Sequence, residues 1–331
     1  MTCLRPTLKD VAKLSGVSEI SVSRVMRNVP NISSSLREKV EAAATELNYR
    51  PNKIAGALAS NTTDLIGVVL PTLKNIEYTQ ILSGIESVLG KSKYCMMLGV
   101  SDFSAKREAQ AVGDFLAWNP SGIIISSVGL SQDARQLLEK SRTPRVEILN
   151  DNGEADDSGV AISYQKACAE LLAYWVERGY KRVAYLNSRD KLFFTKNFKH
   201  ELINQLDAYD MQLVHQAEVS ELSSMMELGV NICSEVLPKL PEADAIFVED
   251  GNLAKGIAFY NSLQLSEKTA IASFGNSLYI GNHEREIDWV KMPFYTVGEN
   301  AAKQFLMANN DDSSCHTKRI SFPAKFVQSS R

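Results

Sequence analysis

The chain has 331 residues, enough for about two domains at roughly 150 residues each. Apolar residues make up 44% and charged residues 23%, a balance that allows a packed core and excludes a disordered chain. Net charge is −3, yet residues 1–60 hold nine Lys/Arg against five Asp/Glu, so a head of +4 sits on a body of −7. That split is the footprint of a nucleic-acid-reading module on a soluble carrier. In chain order, Thr7-Leu8-Lys9-Asp10 places a hydroxyl three residues before an acid, the pattern of a capping box. Leu8, Val11, Ala12 and Leu14 then recur at helical spacing up to Ser15-Gly16, where glycine supplies the positive φ of a tight turn. Ser18 predicts a second N-cap, with Ile20, Val22, Val25 and Met26 following. A third helix is expected from the Ser33-Ser34-Ser35 cap through Leu36, Val40, Ala43 and Leu47. Two short helices joined by a glycine turn make a helix-turn-helix unit, with the third closing its core.

From Asp64 the texture changes. Leu65–Pro71 reads as a buried strand, followed by a helix from about Tyr78 to Leu89. Cys95–Val100, Gly122–Ser127 and Val146–Leu149 are further apolar runs with helices between them. A second set begins with Arg182–Leu186 and continues with Ala245–Val248 and Ala270–Phe274. Near-continuous apolar strands alternating with helices predict parallel sheets covered on both faces. Two sets predict two doubly wound subdomains, with a ligand cleft at the carboxyl ends of their strands. Ile320–Val327 reads as a final strand.

No run of about 18 apolar residues occurs, which argues against a helical membrane span. Met1–Asp10, with Pro6 and Asp10, lacks the apolar stretch of a secretory signal. Cys3, Cys95, Cys168, Cys233 and Cys315 are odd in number and far apart, as suits reduced cytosolic thiols, and no CxxC spacing points to zinc. The expected location is cytoplasmic, with no cofactor and no metal. His200, His215, His283 and His316 are isolated, and no GxGxxG, Walker or nucleophile-elbow pattern appears, so an enzyme is not expected.

Thr7-Leu8-Lys9-Asp10-Val11-Ala12, Ser15-Gly16-Val17-Ser18, Ser21-Val22-Ser23-Arg24-Val25 and Asn48-Tyr49-Arg50-Pro51-Asn52 together resemble the signature of the LacI/GalR repressor family. The body resembles it too, at Ile66-Gly67-Val68 through Pro71, at Gly84–Val88 and at Arg178–Leu186. Gly84–Val88 and Leu116-Ala117-Trp118-Asn119 are most similar to gluconate- and idonate-utilisation repressors. The resemblance implies an all-α helix-turn-helix head (1–50), a hinge helix or linker (51–62) and a periplasmic-binding-protein-like α/β body of two doubly wound parallel-sheet subdomains (63–331). It implies a homodimeric repressor of operator DNA, without a membrane partner, modulated by a small carbohydrate-type effector: a sugar, a sugar acid such as gluconate, or a phosphosugar. Tetramers of the family usually need a C-terminal heptad segment, and the strand-like end here favours a dimer.

In that family the second helix enters the major groove by its N-terminal end. Glu19 and Ile20 would then face base edges, Glu accepting from a cytosine amino group and Ile touching a thymine methyl. Arg24 suits guanine or a phosphate, while Thr7, Ser18, Ser21 and Ser23 suit phosphate contacts or simple capping. In the hinge the resemblance assigns DNA contacts to Asn52, Ala55 and Leu58, with Leu58 wedging a minor-groove step. Gly56 departs from the usual arginine.

For the effector, the resemblance points to Asn75, Tyr78, Ser126, Ser163, Arg189, Lys196, Asn197, Asp250 and Gly275. Asn75 and Tyr78 also read as a helix cap and a core aromatic. Several positions depart from the family: Ser163-Tyr164 for Asp-Asn, Asn197 or Lys196 for an arginine, Asp250-Gly251 for Asn-Asp, and Ser273-Phe274-Gly275-Asn276 for Gly-Phe-Asp-Asp. These departures argue against a neutral sugar. Arg189, Lys191, Lys196 and Lys199 read as a cationic loop entering the cleft, either holding an anion or simply solvated.

Overall fold

The computed structural model describes residues 6–52, 63–126, 131–149, 158–188, 193–219, 242–263, 269–275, 287–309 and 319–329. Contacts divide the chain into two units, residues 1–63 and 64–331.

The first unit holds α1 (Leu8–Ser15), α2 (Glu19–Met26) and α3 (Ser34–Glu46). Each begins where a side chain replaces the missing helical acceptor of a first-turn N–H. Thr7 Oγ1 accepts from the Asp10 N–H at 3.4 Å, and the Thr7 N–H donates to Asp10 Oδ2 at 2.8 Å, completing the capping box. Ser18 accepts from the Ser21 N–H at 3.2 Å and Ser33 from the Leu36 N–H at 3.3 Å. Gly16 ends α1 at φ 67°, in the left-handed region. Val11, Val22, Val25 and Val40 are buried with Ala12, Ala43 and Ala44, and Leu8, Val17, Leu36, Leu47 and Tyr49 pack around them. Burial of each valine stabilises by about 1.5–3 kcal/mol, which sets the three-helix arrangement. Leu14 does not join this core and is 45% exposed. Ser15 takes the inward place instead, its hydroxyl donating to the Val11 carbonyl at 2.7 Å.

The second unit contains two six-stranded sheets. The first is built from β1 (Leu65–Leu70), β2 (Cys95–Val100), β3 (Gly122–Ser126), β4 (Arg145–Ile148), β5 (Gly159–Ser163) and β11 (Ile320–Pro323). Its order is β11-β5-β4-β3-β1-β2, parallel throughout. The second comprises β6 (Arg182–Ser188), β7 (Gln212–Val219), β8 (Ala245–Val248), β9 (Ala270–Gly275), β10 (Ile287–Lys291) and β12 (Lys325–Val327). Its order is β12-β10-β9-β8-β6-β7, with only β12 antiparallel.

Both faces of each sheet are covered, which is why their strands read as apolar runs. On the first sheet, α4 (Ile76–Leu89) and α10 (Phe294–Asn309) cover one face, and α5 (Ala105–Leu116) and α6 (Gln132–Ser141) the other. On the second, α7 (Gln165–Glu177) and α8 (Phe193–Leu206) cover one face and α9 (Gly251–Leu263) the other. Helices α4 and α10 touch backbone to backbone. A Cβ at Gly84 would lie 2.1 Å from the Tyr295 carbonyl oxygen, and one at Gly298 2.0 Å from that of Ile81.

The chain passes between the lobes three times: from β5 into α7, from β10 into α10, and from β11 to β12 across Ala324. The last crossing revises the expected single C-terminal strand. Buried Ala324 splits it into two short strands that finish different sheets. Strands β5, β7 and β10 have no counterpart in the sequence expectation, and α4 begins at Ile76, slightly before the expected Tyr78.

Candidate functional site

In the head, burial of Val22 and Val25 fixes which side of α2 faces outward. The outer stripe runs Ile20, Ser23, Arg24 and Arg27 at helical i, i+3, i+4, i+7 spacing. Ser18, Glu19, Ile20 and Arg24 are exposed, and Ser21 and Ser23 half-buried. Ile20 is 73% exposed, the largest exposure among the large apolar side chains of the described residues. Burial does not account for an isoleucine there. Ser21 Oγ lies 2.9 Å from Ser18 Oγ, so both hydroxyls belong to the cap that shapes this first turn. Lys9 and Lys13 of α1 line a recess with Ser18 and Glu19, adding two ammonium groups beside the same end. Arg27 was not among the sequence candidates, although its spacing from Ile20 could have found it. Thr7 is exposed and holds the α1 cap, and its two hydrogen bonds keep the Asp10 carboxyl below the usual carboxylate range. Asn52 is exposed. Ala55, Gly56 and Leu58 lie outside the described residues.

In the body, the effector candidates that fall on described residues sit at carboxyl ends of strands or at starts of the helices that follow. That edge is where a doubly wound sheet binds ligands. Ser126 ends β3 and hydrogen-bonds the Tyr78 hydroxyl from the first turn of α4; burial pushes the Tyr78 phenol well above its ordinary range. Tyr78 is thus part of the core as well as the edge. Asn75 precedes α4 in an extended conformation and makes no side-chain cap, so the alternative of a capping role does not hold. Ser163 ends β5, half-buried.

At the second sheet, Asp250 follows β8, and its Oδ1 accepts from the Leu253 N–H at 2.7 Å, capping α9. Gly275 ends β9, buried. Lys196 (exposed) and Asn197 (half-buried) lie near the start of α8. Lys196 and Lys199 are therefore helical rather than on a loop, and the Lys199 ammonium lies 5.4 Å from the Tyr185 ring centroid. Arg189 and Lys191 lie outside the described residues. Sequence reasoning missed Glu249, which directly follows β8 and is only 8% exposed. Its Oε1 accepts from the Tyr185 hydroxyl at 3.1 Å, and burial pushes the Tyr185 phenol well up, with Glu249 adding to it. An acid closing the apolar run Ala245–Val248 was the available signal.

The serine hydroxyls and asparagine amides among these groups can hydrogen-bond a small polar ligand, while Glu249 and Asp250 are engaged with Tyr185 and the start of α9. Among the described residues no three His, Cys, Asp or Glu side chains gather as a metal site, and no helix is long and apolar enough to cross a membrane.

Comparison with known proteins matches residues 7–52 to "Bacterial regulatory proteins, lacI family" and residues 63–281 to "Periplasmic binding proteins and sugar binding domain of LacI family". The HTH-type transcriptional regulator GntR of Escherichia coli (strain K12) is 31% identical over 274 residues, 82% of each chain. A LacI family transcriptional regulator from Silicibacter pomeroyi superimposes with a TM-score of 0.83 at 30% identity over 98% of each chain. The lac repressor dimer bound to operator and the anti-inducer ONPF gives a TM-score of 0.85 at 22% identity, covering 98% of this chain and 99% of that one. At that identity the last shows the shared fold.

Proposed function

Because this chain belongs to the LacI family of bacterial regulatory proteins, DNA-binding transcriptional regulators with a sugar-binding domain and not enzymes, we propose that it is a cytoplasmic repressor whose operator affinity is set by a sugar acid. The observation that carries the DNA reading is the outward stripe of α2. A capped, core-anchored helix presents Glu19 and Ile20 to solvent at its N-terminal end, with Arg24 exposed one turn further on. That end is the part of such a helix that enters a major groove. Glu19 and Ile20 read base edges, Arg24 takes guanine or phosphate, and Thr7, Ser18, Ser21 and Ser23 position the head on the backbone. Residues 1–50 form the reader and 51–62 the hinge, where Asn52, Ala55 and Leu58 complete the contact. The body, 63–331, senses the effector.

The protein acts as a homodimer. Leu98 and Val100 on edge strand β2, Phe103 just after it, and Leu73 and Ile76 before and in α4 are all exposed large apolar side chains. The Asp102 N–H donates to the Pro71 carbonyl at 2.8 Å, which holds these segments side by side. Such a patch marks an interaction surface, and a second copy matches the dimer named for the lac repressor structure.

The crevice takes a sugar acid such as gluconate. Supporting this are the similarity of Gly84–Val88 and Leu116–Asn119 to gluconate- and idonate-utilisation repressors, and the absence of carboxylates at Gly251 and Gly275. Ligand binding alters the angle between the lobes, which three chain crossings confine to a hinge motion, and so changes the separation of the two heads. Coupling of this kind is usually worth about 1–3 kcal/mol. A gel-shift titration with gluconate checks it: a change of about 5- to 150-fold in operator affinity is expected, and an unchanged affinity with gluconate bound contradicts the coupling.

A further inference from the structure

The rim of the crevice formed by the second sheet is unusual in having two positions without side chains. Gly251 opens α9 after Glu249 and Asp250, which follow β8, and Gly275 ends β9. Both are occupied from below by one residue, Trp289, at the middle of β10. A Cβ at Gly275 would lie 2.9 Å from Trp289 Cβ, 3.0 Å from Cε3 and 3.2 Å from Cδ2. One at Gly251 would lie 3.5 Å from Cζ3 and 3.9 Å from Cη2, and 2.9 Å from the Phe274 carbonyl oxygen. The six-membered ring of the indole therefore runs along both glycines, from β10 past β9 to the start of α9.

Register puts a hydroxyl beside this ring. Trp289 pairs with Ser273, so the two side chains share the α9 face of the sheet. Ser273 is fully buried, and among the described residues its Oγ has no hydrogen-bond partner. The acids of the same rim are engaged: Glu249 accepts from Tyr185, and Asp250 caps α9.

We propose that Trp289 is a specificity-determining residue of the crevice, a plug that denies the second sheet's rim to fully hydroxylated ring sugars and leaves it open to extended, open-chain sugar acids. The inference rests on the reading of the crevice as the ligand site. A ring sugar pressed against this rim meets indole carbon and glycine backbone, and each hydroxyl buried there without a partner costs binding. An open chain turns its hydroxyls toward the first sheet, where Ser126 and Ser163 lie. The indole also carries no charge to repel a ligand carboxylate. Removing the plug exposes the Ser273 hydroxyl as a partner for a ring hydroxyl.

The test uses the full-length protein with two probes, potassium gluconate and methyl β-glucopyranoside, read by calorimetric titration. Wild type and Trp289→Phe, which keeps an aromatic plug, are expected to ignore the pyranoside. Trp289→Thr, a residue that suits a strand, is expected to gain pyranoside affinity by about tenfold or more. Trp289→Leu serves in its place if the threonine variant does not fold. A folded plug-less variant with the wild-type ligand profile overturns the inference, as does a wild type that already takes the pyranoside equally well. The pyranoside comparison stands without gluconate, so a wild type that ignores gluconate counts against the sugar-acid reading alone.

Discussion

An isoleucine left in water at the start of a helix is a cost that folding does not require. Ile20 is 73% exposed, while Val22 and Val25, two and five residues on, are buried. Exchanging the residues at 19 and 20 is expected to leave the head folded and to change which base pairs each half-site prefers. Selection of duplexes from a random pool reads this directly, and a uniform loss of affinity would mark both residues as positional. Thr7→Ala removes one side of the capping box and should destabilise α1 by about 1 kcal/mol, visible as a lower melting point of the head. Asp10 adds a pH dependence. Its folded carboxyl titrates below the usual 3.8 because Thr7 donates to it. Its contribution is therefore present above that value and lost as pH falls through the lower, folded one. Acid titration of the head's helical signal should show this loss in wild type and not in Asp10→Asn. These caps were legible in the sequence because they are local, three residues from donor to acceptor. Leu14 was misread because its apolar character says nothing about which side of a short helix it takes.

Elements were legible where both faces are buried. Strands β1, β3, β8 and β9 read as apolar runs since helices cover them on each side. Strand β7 lies at a sheet edge and reads Gln212-Leu213-Val214-His215-Gln216-Ala217-Glu218-Val219, too polar to stand out. Strand β10 hides because Asp288 and Lys291 interrupt it; Asp288 is fully buried and its Oδ1 accepts from the Ser329 N–H at 3.0 Å, a partner distant in sequence. The close approach of α4 and α10 was equally invisible, since its glycines are 214 positions apart as Gly84 and Gly298. Gly84→Ala should destabilise the body by about 1–3 kcal/mol or more, because the new Cβ meets the rigid backbone carbonyl of Tyr295; chemical denaturation measures it. At the edge strand, Val100→Glu is expected to give a folded monomer by sedimentation. Without a tethered second head, operator affinity should then fall by about 100-fold or more.

At the scale of the molecule, a basic head on an acidic body separates the work. Positive charge is concentrated where phosphates are met, and the body's net negative charge disfavours contact with DNA elsewhere. Three crossings join the two lobes, and the Tyr78–Ser126 and Tyr185–Glu249 hydrogen bonds lie one in each lobe. That Ser126 and Gly275 lie at strand ends was legible from the apolar runs that precede them. The identities of the groups there were less so, because Trp289 filling the space of two glycines depends on register between strands that no local pattern reports.

We infer that the N-terminal turn of α2 reads base pairs. Its most direct measurement is competition binding of full-length protein between a duplex selected from a random pool and random-sequence competitor, at moderate ionic strength. A two-fold symmetric site bound at least about 1,000-fold more tightly than the competitor is expected. Equal affinity for both would contradict it.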